Sequence, residues 1–247
     1  MINLVIDIGN TLSKVAVFNN RELVSLEQSV DLTEPYLSKL IKDNKIDNSI
    51  ISSVKPEIKH LEDCLKAVTK YNHFTAITDS EIINYYKTPN TLGPDRYAAV
   101  IGAAANYPDQ NCLVLDAGTC ITYDFISSEK KYFGGSISPG IQMRFKAMHT
   151  FTGKLPLVNA DLHNSENYGD DTLSSILTGV QKGVLYEVLG FIEYYNSTWP
   201  HLKVILCGGD MNFFDTQLKS SIFAHTLKTE PNLVLIGLNE VIYHTND

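Results

Sequence analysis

Leu4-Val5-Ile6-Asp7-Ile8-Gly9-Asn10-Thr11 decides the fold, because its pattern occurs twice. The second copy is Leu113-Val114-Leu115-Asp116-Ala117-Gly118-Thr119. In each copy an apolar run without polar alternation reads as a strand buried on both faces. Each run stops at an aspartate, a glycine and a threonine, which are turn-forming residues. Strand character then returns, as Lys14-Val15-Ala16-Val17-Phe18 in the first copy and Ile121-Thr122-Tyr123-Asp124-Phe125-Ile126 in the second. The two copies lie much farther apart than the roughly 20–50 residues of a solenoid period, so they mark a duplicated domain.

Working outward from the first copy, Leu23 to Val30 predicts a third strand. Leu32 to Lys42 predicts a helix, with Asp31 or Thr33 as its cap. Ser49 to Val54 predicts a strand that stops before Pro56, and Leu61 to Tyr71 a second helix. The turn-rich connection Asn106 to Asn111 sets the boundary, giving an N-terminal domain over 1–108 and a C-terminal domain over 109–247. In the second half, Thr172 to Trp199 predicts a long helix with Val180, Val184, Val188 and Phe191 along one face. Val204 to Cys207 predicts a strand ending at Gly208-Gly209-Asp210. Leu233 to Gly237 predicts a last short strand before a helix from Leu238 to Tyr243. Taken alone, Gly134 to Gly140 reads as a loop. Strands alternating with helices in both halves define an α/β class.

Composition excludes several function classes. The 247 residues are 44% hydrophobic and 19% charged, as in a globular chain and unlike a disordered one. No run reaches the roughly 18 apolar residues of a membrane span. The opening Met1-Ile2-Asn3-Leu4 has no basic leader, so no signal peptide is expected and a cytoplasmic location is. Twenty basic against 28 acidic side chains give a net charge of −8 with no basic block, which argues against nucleic acid as a partner. The 13 tyrosines do not interleave with basic residues as a single-strand binder would require. Cys64, Cys112, Cys120 and Cys207 form no CxxC pair and read as reduced small hydrophobes. The seven histidines are scattered and receive no role.

An aspartate at a strand end can hold a hydrated Mg²⁺, and the following glycine lets backbone N–H groups approach a phosphate. Thr11, Thr119 and Asn10 can donate to phosphate oxygens, and Lys14 can offer an ammonium to the same group. One such turn is an ordinary hairpin connection. Two in matching contexts point to a cleft that grips a nucleotide from both halves. Gly93-Pro94-Asp95-Arg96 admits two readings. It can be a helix start with proline at the first position, leading into Tyr97 to Ala105. It can also supply a base, Asp95, and a clamp for an anionic group, Arg96.

Five motifs in order resemble those of the type III pantothenate kinases, within the acetate kinase, sugar kinase and actin superfamily. They are Asp7 to Lys14, Gly93 to Arg96, Asp116 to Thr122, Gly134 to Gly140 with Thr152 to Pro156, and Cys207 to Asp210. The chain departs from the family pattern at Cys207, where threonine is frequent, and at Gly153-Lys154-Leu155.

The resemblance implies two duplicated ribonuclease H-like domains with a nucleotide cleft between them. It further implies transfer of the γ-phosphoryl group of ATP to pantothenate, the first step of coenzyme A synthesis. Under it Asp95 is the general base, and Tyr86, Gly93, Pro94, Asp95, Arg96 and Thr172 bind pantothenate. Asp7, Ile8, Gly9, Asn10, Thr11, Lys14 and Thr119 bind ATP. Asp7 holds Mg²⁺, Asp116 holds a monovalent cation (K⁺ or NH₄⁺), and the protein is a homodimer. A sugar kinase and a non-catalytic regulator on the same fold are the alternatives. The first favours longer chains, and the second would be expected to lose Asp7, Asp95 or Asp116, all present here.

Overall fold

The computed structural model describes residues 1–9, 12–29, 32–55, 57–161 and 166–246. In chain order the strands are β1 (Ile2–Ile8), β2 (Ser13–Asn19), β3 (Glu22–Ser29), β4 (Asn48–Ser53), β5 (Lys70–His73), β6 (Ile83–Asn84), β7 (Cys112–Ala117), β8 (Cys120–Ile126), β9 (Lys131–Pro139), β10 (Lys203–Cys207) and β11 (Leu227–Thr229). The helices are α1 (Glu34–Asn44), α2 (Lys59–Lys66), α3 (Pro94–Asn106), α4 (Ile141–Thr150), α5 (Thr172–Thr198), α6 (Met211–Leu218) and α7 (Leu233–His244).

The chain forms two compact units. The first contains Met1–Asp109, Ser128–Phe133 and Asn232–Asp247; the second contains Gln110–Ser127 and Gly134–Pro231. The first sheet has the order β3-β2-β1-β4-β5. Its hairpin strands pair antiparallel, while β4 and β5 add in parallel. The second sheet repeats that order as β9-β8-β7-β10-β11. Again the hairpin β7–β8 is antiparallel and β10 and β11 are parallel. This shared 3-2-1-4-5 arrangement is the ribonuclease H-like fold, present twice. The short β6 pairs with the first residues of β9, Lys131 and Tyr132.

Alternation along the strands sets the two faces of each sheet. In the first unit, Leu4, Ile6 and Ile8 of β1 join Val15, Val17 and Ile51 in a core closed by Leu37 and Ile41 of α1 and Leu61 and Leu65 of α2. In the second, Leu113, Leu115 and Ala117 join Val204, Leu206 and the Val180-Val184-Val188-Ile192 face of α5. Asp7 and Asp116 therefore stand on the sheet face opposite these cores. The α1 helix is capped by Thr33, whose hydroxyl accepts from the Tyr36 N–H. The α5 helix is capped by Asp171 in a capping box with Ser174.

Three elements differ from the sequence expectation. Leu233–His244 is one helix, not a strand followed by a helix. Leu233, Leu235, Leu238, Val241 and Ile242 are all fully buried, and an all-round apolar run has no period that tells strand from helix. Gly134 to Gly140 lies mainly in β9, which runs to Pro139, rather than in a loop. Glycines hide this strand. A Cβ on Gly135 would come within 1.7 Å of the Tyr123 carbonyl oxygen, so the strand approaches its neighbour too closely for any side chain. Finally, α2 stops at Lys66, where Leu61 to Tyr71 was expected to be helical. The Leu65 carbonyl is taken by the N–H groups of Val68 and Thr69 and by the Thr69 hydroxyl, and Lys70 to His73 then pair with β4.

Candidate active site

The first turn closes β1. Asp7 pairs across the hairpin with Lys14 and in parallel with Ser52 of β4, which puts the three side chains on one face. Asp7 and Lys14 are partly buried. The Gly9 N–H donates to the Leu12 carbonyl at 3.1 Å and closes the turn. Ile8 turns its side chain into the core, and its carbonyl accepts from the Val54 N–H at 3.1 Å. Asn10 and Thr11 lie outside the described residues. The Ser52 hydroxyl is buried and has no hydrogen-bond partner among the described residues.

The second turn closes β7 in the same way. Asp116 pairs with Thr122 of β8 and Cys207 of β10. Backbone from two other elements packs against it. Gly140, the residue before α4, donates its N–H to the Thr119 carbonyl at 3.2 Å. A Cβ there would sit 2.2 Å from the Gly118 oxygen. Gly208 has φ of +87°, and a Cβ on it would meet an Asp116 carboxylate oxygen at 2.3 Å. Glycine is thus required at both positions. Thr119 is exposed at the tip of the turn. The Asp210 N–H donates to the Ala117 carbonyl at 2.8 Å, and burial holds the Asp210 carboxyl above its usual range.

Gly93 to Arg96 starts α3. Pro94 occupies the first turn, where its missing N–H leaves no bond unmade. Asp95 follows, and its Oδ1 accepts from the Arg96 N–H at 2.8 Å. A side chain on Gly93 would approach that oxygen to 2.6 Å. Arg96 is buried, with its guanidinium 5.8 Å from the centre of the Tyr86 ring. Tyr86 in turn stacks on Tyr132. Beside Pro94 lies a cavity of 240 Å³ lined by Ser53, His73, Phe74, Asn90 and Leu92. Ser53 and His73 end two parallel strands, and ligands of open α/β sheets bind at such carboxyl ends.

The structure therefore brings together Asp7 with Lys14, and Tyr86 with Gly93, Pro94, Asp95 and Arg96, within the first unit. Within the second it brings Asp116 to the Thr119 turn. Thr172 stands exposed at the first position of α5, away from that turn in sequence. Sequence reading missed Ser52, Thr122 and Gly140 as neighbours of the turns. The repeat carried a signal for Thr122, which stands where the first copy has Lys14, whereas strand register alone brings Ser52 beside Asp7.

The oxygen donors present fit hard cations. Next to each aspartate stands a hydroxyl, of Ser52 and of Thr122, that is buried and has no hydrogen-bond partner among the described residues. Among the described residues no group of three or more His, Cys, Asp or Glu gathers into a metal cage. A carboxylate beside a hydroxyl is a donor set that fits Mg²⁺, which keeps its waters and is held by one or two carboxylates plus substrate phosphates.

Two ribonuclease H-like units, each ending its first strand in an Asp-x-Gly turn, define the fold class of the sugar kinases and actin. Solved structures agree. A Clostridium difficile activator of 2-hydroxyisocaproyl-CoA dehydratase with bound ADPNP has a TM-score of 0.57 at 13% identity, covering 100% of this chain and 97% of that one. A glucokinase from an Antarctic psychrotroph has a TM-score of 0.51 at 13% identity, covering 99% of both chains. The family is narrower than the fold. The family model for type III pantothenate kinase matches residues 3–195. A type III pantothenate kinase of Bacteroides fragilis is 42% identical over 99% of this chain and 98% of its own length. One from Cytophaga hutchinsonii is 38% identical over 97% and 98%. The chain belongs to the type III pantothenate kinase family and is a kinase. No helix among its described residues is long and apolar enough to cross a membrane.

Proposed function

We propose that this kinase transfers the γ-phosphoryl group of ATP to the primary hydroxyl of pantothenate, the first step toward coenzyme A. The observation that carries the reading is the start of α3. There a partly buried carboxylate, Asp95, stands beside a buried guanidinium backed by Tyr86, in a chain of this family. The Arg96 guanidinium orients an anionic group of the substrate, and Asp95 takes the hydroxyl proton. A carboxylate is a far weaker base than an alkoxide. Proton transfer is therefore late, and positioning supplies most of the acceleration. Tyr86, Gly93, Pro94 and Thr172 complete the acceptor site.

Lys14, Asn10, Thr11, Thr119 and the backbone at Ile8 and Gly9 hold the phosphate oxygens. Asp7 and Ser52 would hold hydrated Mg²⁺, and Asp116 and Thr122 a K⁺ or NH₄⁺ ion. When bound, these ions add positive charge where the transferred group develops negative charge. The working form is a homodimer in the cytoplasm. Support for a second copy comes from apolar surface on the second unit, where Ile137, Tyr186 and Tyr194 are each about 60% exposed.

A coupled ADP-release assay with pantothenate, with and without K⁺, tests the reading. Turnover that needs pantothenate and rises with K⁺ is expected. Turnover with a sugar alone, or no turnover with any acceptor, would overturn it.

A further inference from the structure

Outside the motifs, the second unit holds one carboxylate that collects three donors. Glu187, in the middle of α5, accepts from the Tyr123 hydroxyl at 3.0 Å, the Ser138 hydroxyl at 2.5 Å and Arg144 Nη2 at 2.7 Å. Arg144 also donates through Nε to the Pro139 carbonyl at 2.8 Å. The ion pair is only partly open to water, with side-chain exposures of 21% for Arg144 and 27% for Glu187. Burial pushes the Glu187 carboxyl up, but the bonds from Ser138, Arg144 and Tyr123 outweigh it and leave the group below its usual range.

The atoms this cluster holds are the backbone of residues 138–140, the end of β9 and the entry to α4. That backbone carries the second turn. The Gly140 N–H donates to the Thr119 carbonyl, and the absence of a side chain at 140 lets the Gly118 and Thr119 oxygens lie against it. The Gly140 carbonyl accepts the Arg144 N–H at 3.1 Å, which ties the same residue back to the ion pair. A continuous set of short contacts thus runs from Glu187 through Ser138 and Arg144 to Gly140 and then to Gly118-Thr119. A charge-assisted bond is shorter and stronger than a neutral one, so this set fixes backbone position more firmly than packing would.

We infer that Glu187 is a positioning residue for the nucleotide: through Ser138 and Arg144 it sets where the Gly118-Thr119 turn meets phosphate. The inference rests on the proposed reading that this turn binds ATP. Glu187 touches no reacting atom, the acceptor residues of α3 belong to the other unit, and Thr172 stands at the start of α5, about four helical turns before Glu187. Loss of its charge therefore acts on ATP and spares pantothenate. It also leaves the Arg144 guanidinium without its carboxylate.

The test is steady-state kinetics of Glu187→Gln, with Ser138→Ala as a milder variant that removes one donor and keeps the ion pair. For Glu187→Gln the ATP KM should rise about tenfold or more, as expected when a binding element is displaced by a fraction of an ångström. The pantothenate KM should stay within about twofold. Ser138→Ala should give the same split at smaller size, and Glu187→Gln combined with Arg144→Gln should cost no more than Glu187→Gln alone. A lower melting temperature and lower kcat with an unchanged ATP KM would reveal a merely structural role and overturn the inference. So would equal rises in both KM values. If Glu187→Gln does not fold, Ser138→Ala decides by the same split. Thr119→Val serves as control. If it leaves the ATP KM unchanged, the underlying reading of the turn fails. If it raises the ATP KM while the Glu187 and Ser138 variants do not, only the present inference fails.

Discussion

Asp95 and Gly208 show how much one residue decides here. Asp95 has its Oδ1 tied to the Arg96 N–H, which fixes the orientation of the carboxylate; the proposed role as base can be tested directly. Asp95→Asn keeps that shape and removes the basicity. Turnover should fall by about 10²–10⁴, the usual contribution of a positioned base, with ATP affinity retained by titration calorimetry. An Asp95→Asn enzyme as fast as the parent would remove Asp95 from the role. Gly208 is constrained twice, by its φ of +87° and by the Asp116 carboxylate against it. Gly208→Ala should strain the backbone and push Asp116 aside. The expected result is a raised ATP KM with a blunted response to K⁺, read from activity over a salt titration. An unchanged K⁺ curve would separate Gly208 from the cation.

At the scale of elements, the crossing of α3 and α7 depends on two glycines. A Cβ on Gly237 would fall 1.8 Å from the Ala98 carbonyl oxygen, and one on Gly102 would fall 2.3 Å from that of Leu233. Gly237→Ala should therefore destabilise by about 1–3 kcal/mol, the usual cost of overpacking, seen as a lower urea midpoint. An unchanged midpoint would mean the helices can separate freely. The same contact explains what sequence could reveal. The hairpins, α1, α3, α5 and β10 were legible, because each carries a clear period, cap or turn residue such as Thr33, Pro94 or Gly208. The α7 helix was not, because its opening run Leu233 to Leu238 is apolar at every position but Gly237 and so shows no period. Gly135 concealed β9 for the opposite reason, since the sheet there has no room for side chains. Asp7, Asp95 and Asp116 were readable from local motifs. Ser52 and Glu187 carry no local signature, because register and tertiary packing alone bring them to their places.

For the molecule as a whole, depressed carboxylates link stability to pH, among them Glu62 in the first unit and Glu187 in the second. Burial pushes the Glu62 carboxyl up, but hydrogen bonds from Lys66 and Tyr71 and the nearby His73 outweigh it and hold it below its ordinary value of 4.5. Glu187 is depressed for the similar reasons given above. A depressed folded value means the unfolded chain binds the proton first as pH falls. The stabilisation is complete above pH 4.5 and is lost as pH drops through the lower folded values. Urea midpoints should therefore hold steady from about pH 7 to 5 and decline below that. Glu62→Gln should flatten part of the decline. An equally steep decline in that variant would assign the acid sensitivity elsewhere.

The α7 helix completes the first unit although it is the last element of the chain. Its Asn239 side chain accepts from Asn3 on β1 at 2.9 Å, on the strand face that also carries Val5. During synthesis, residues 232–246 leave the ribosome only after the entire second unit. Until then the nascent first sheet keeps one apolar face uncovered, so the growing polypeptide is most prone to chaperone capture in that interval.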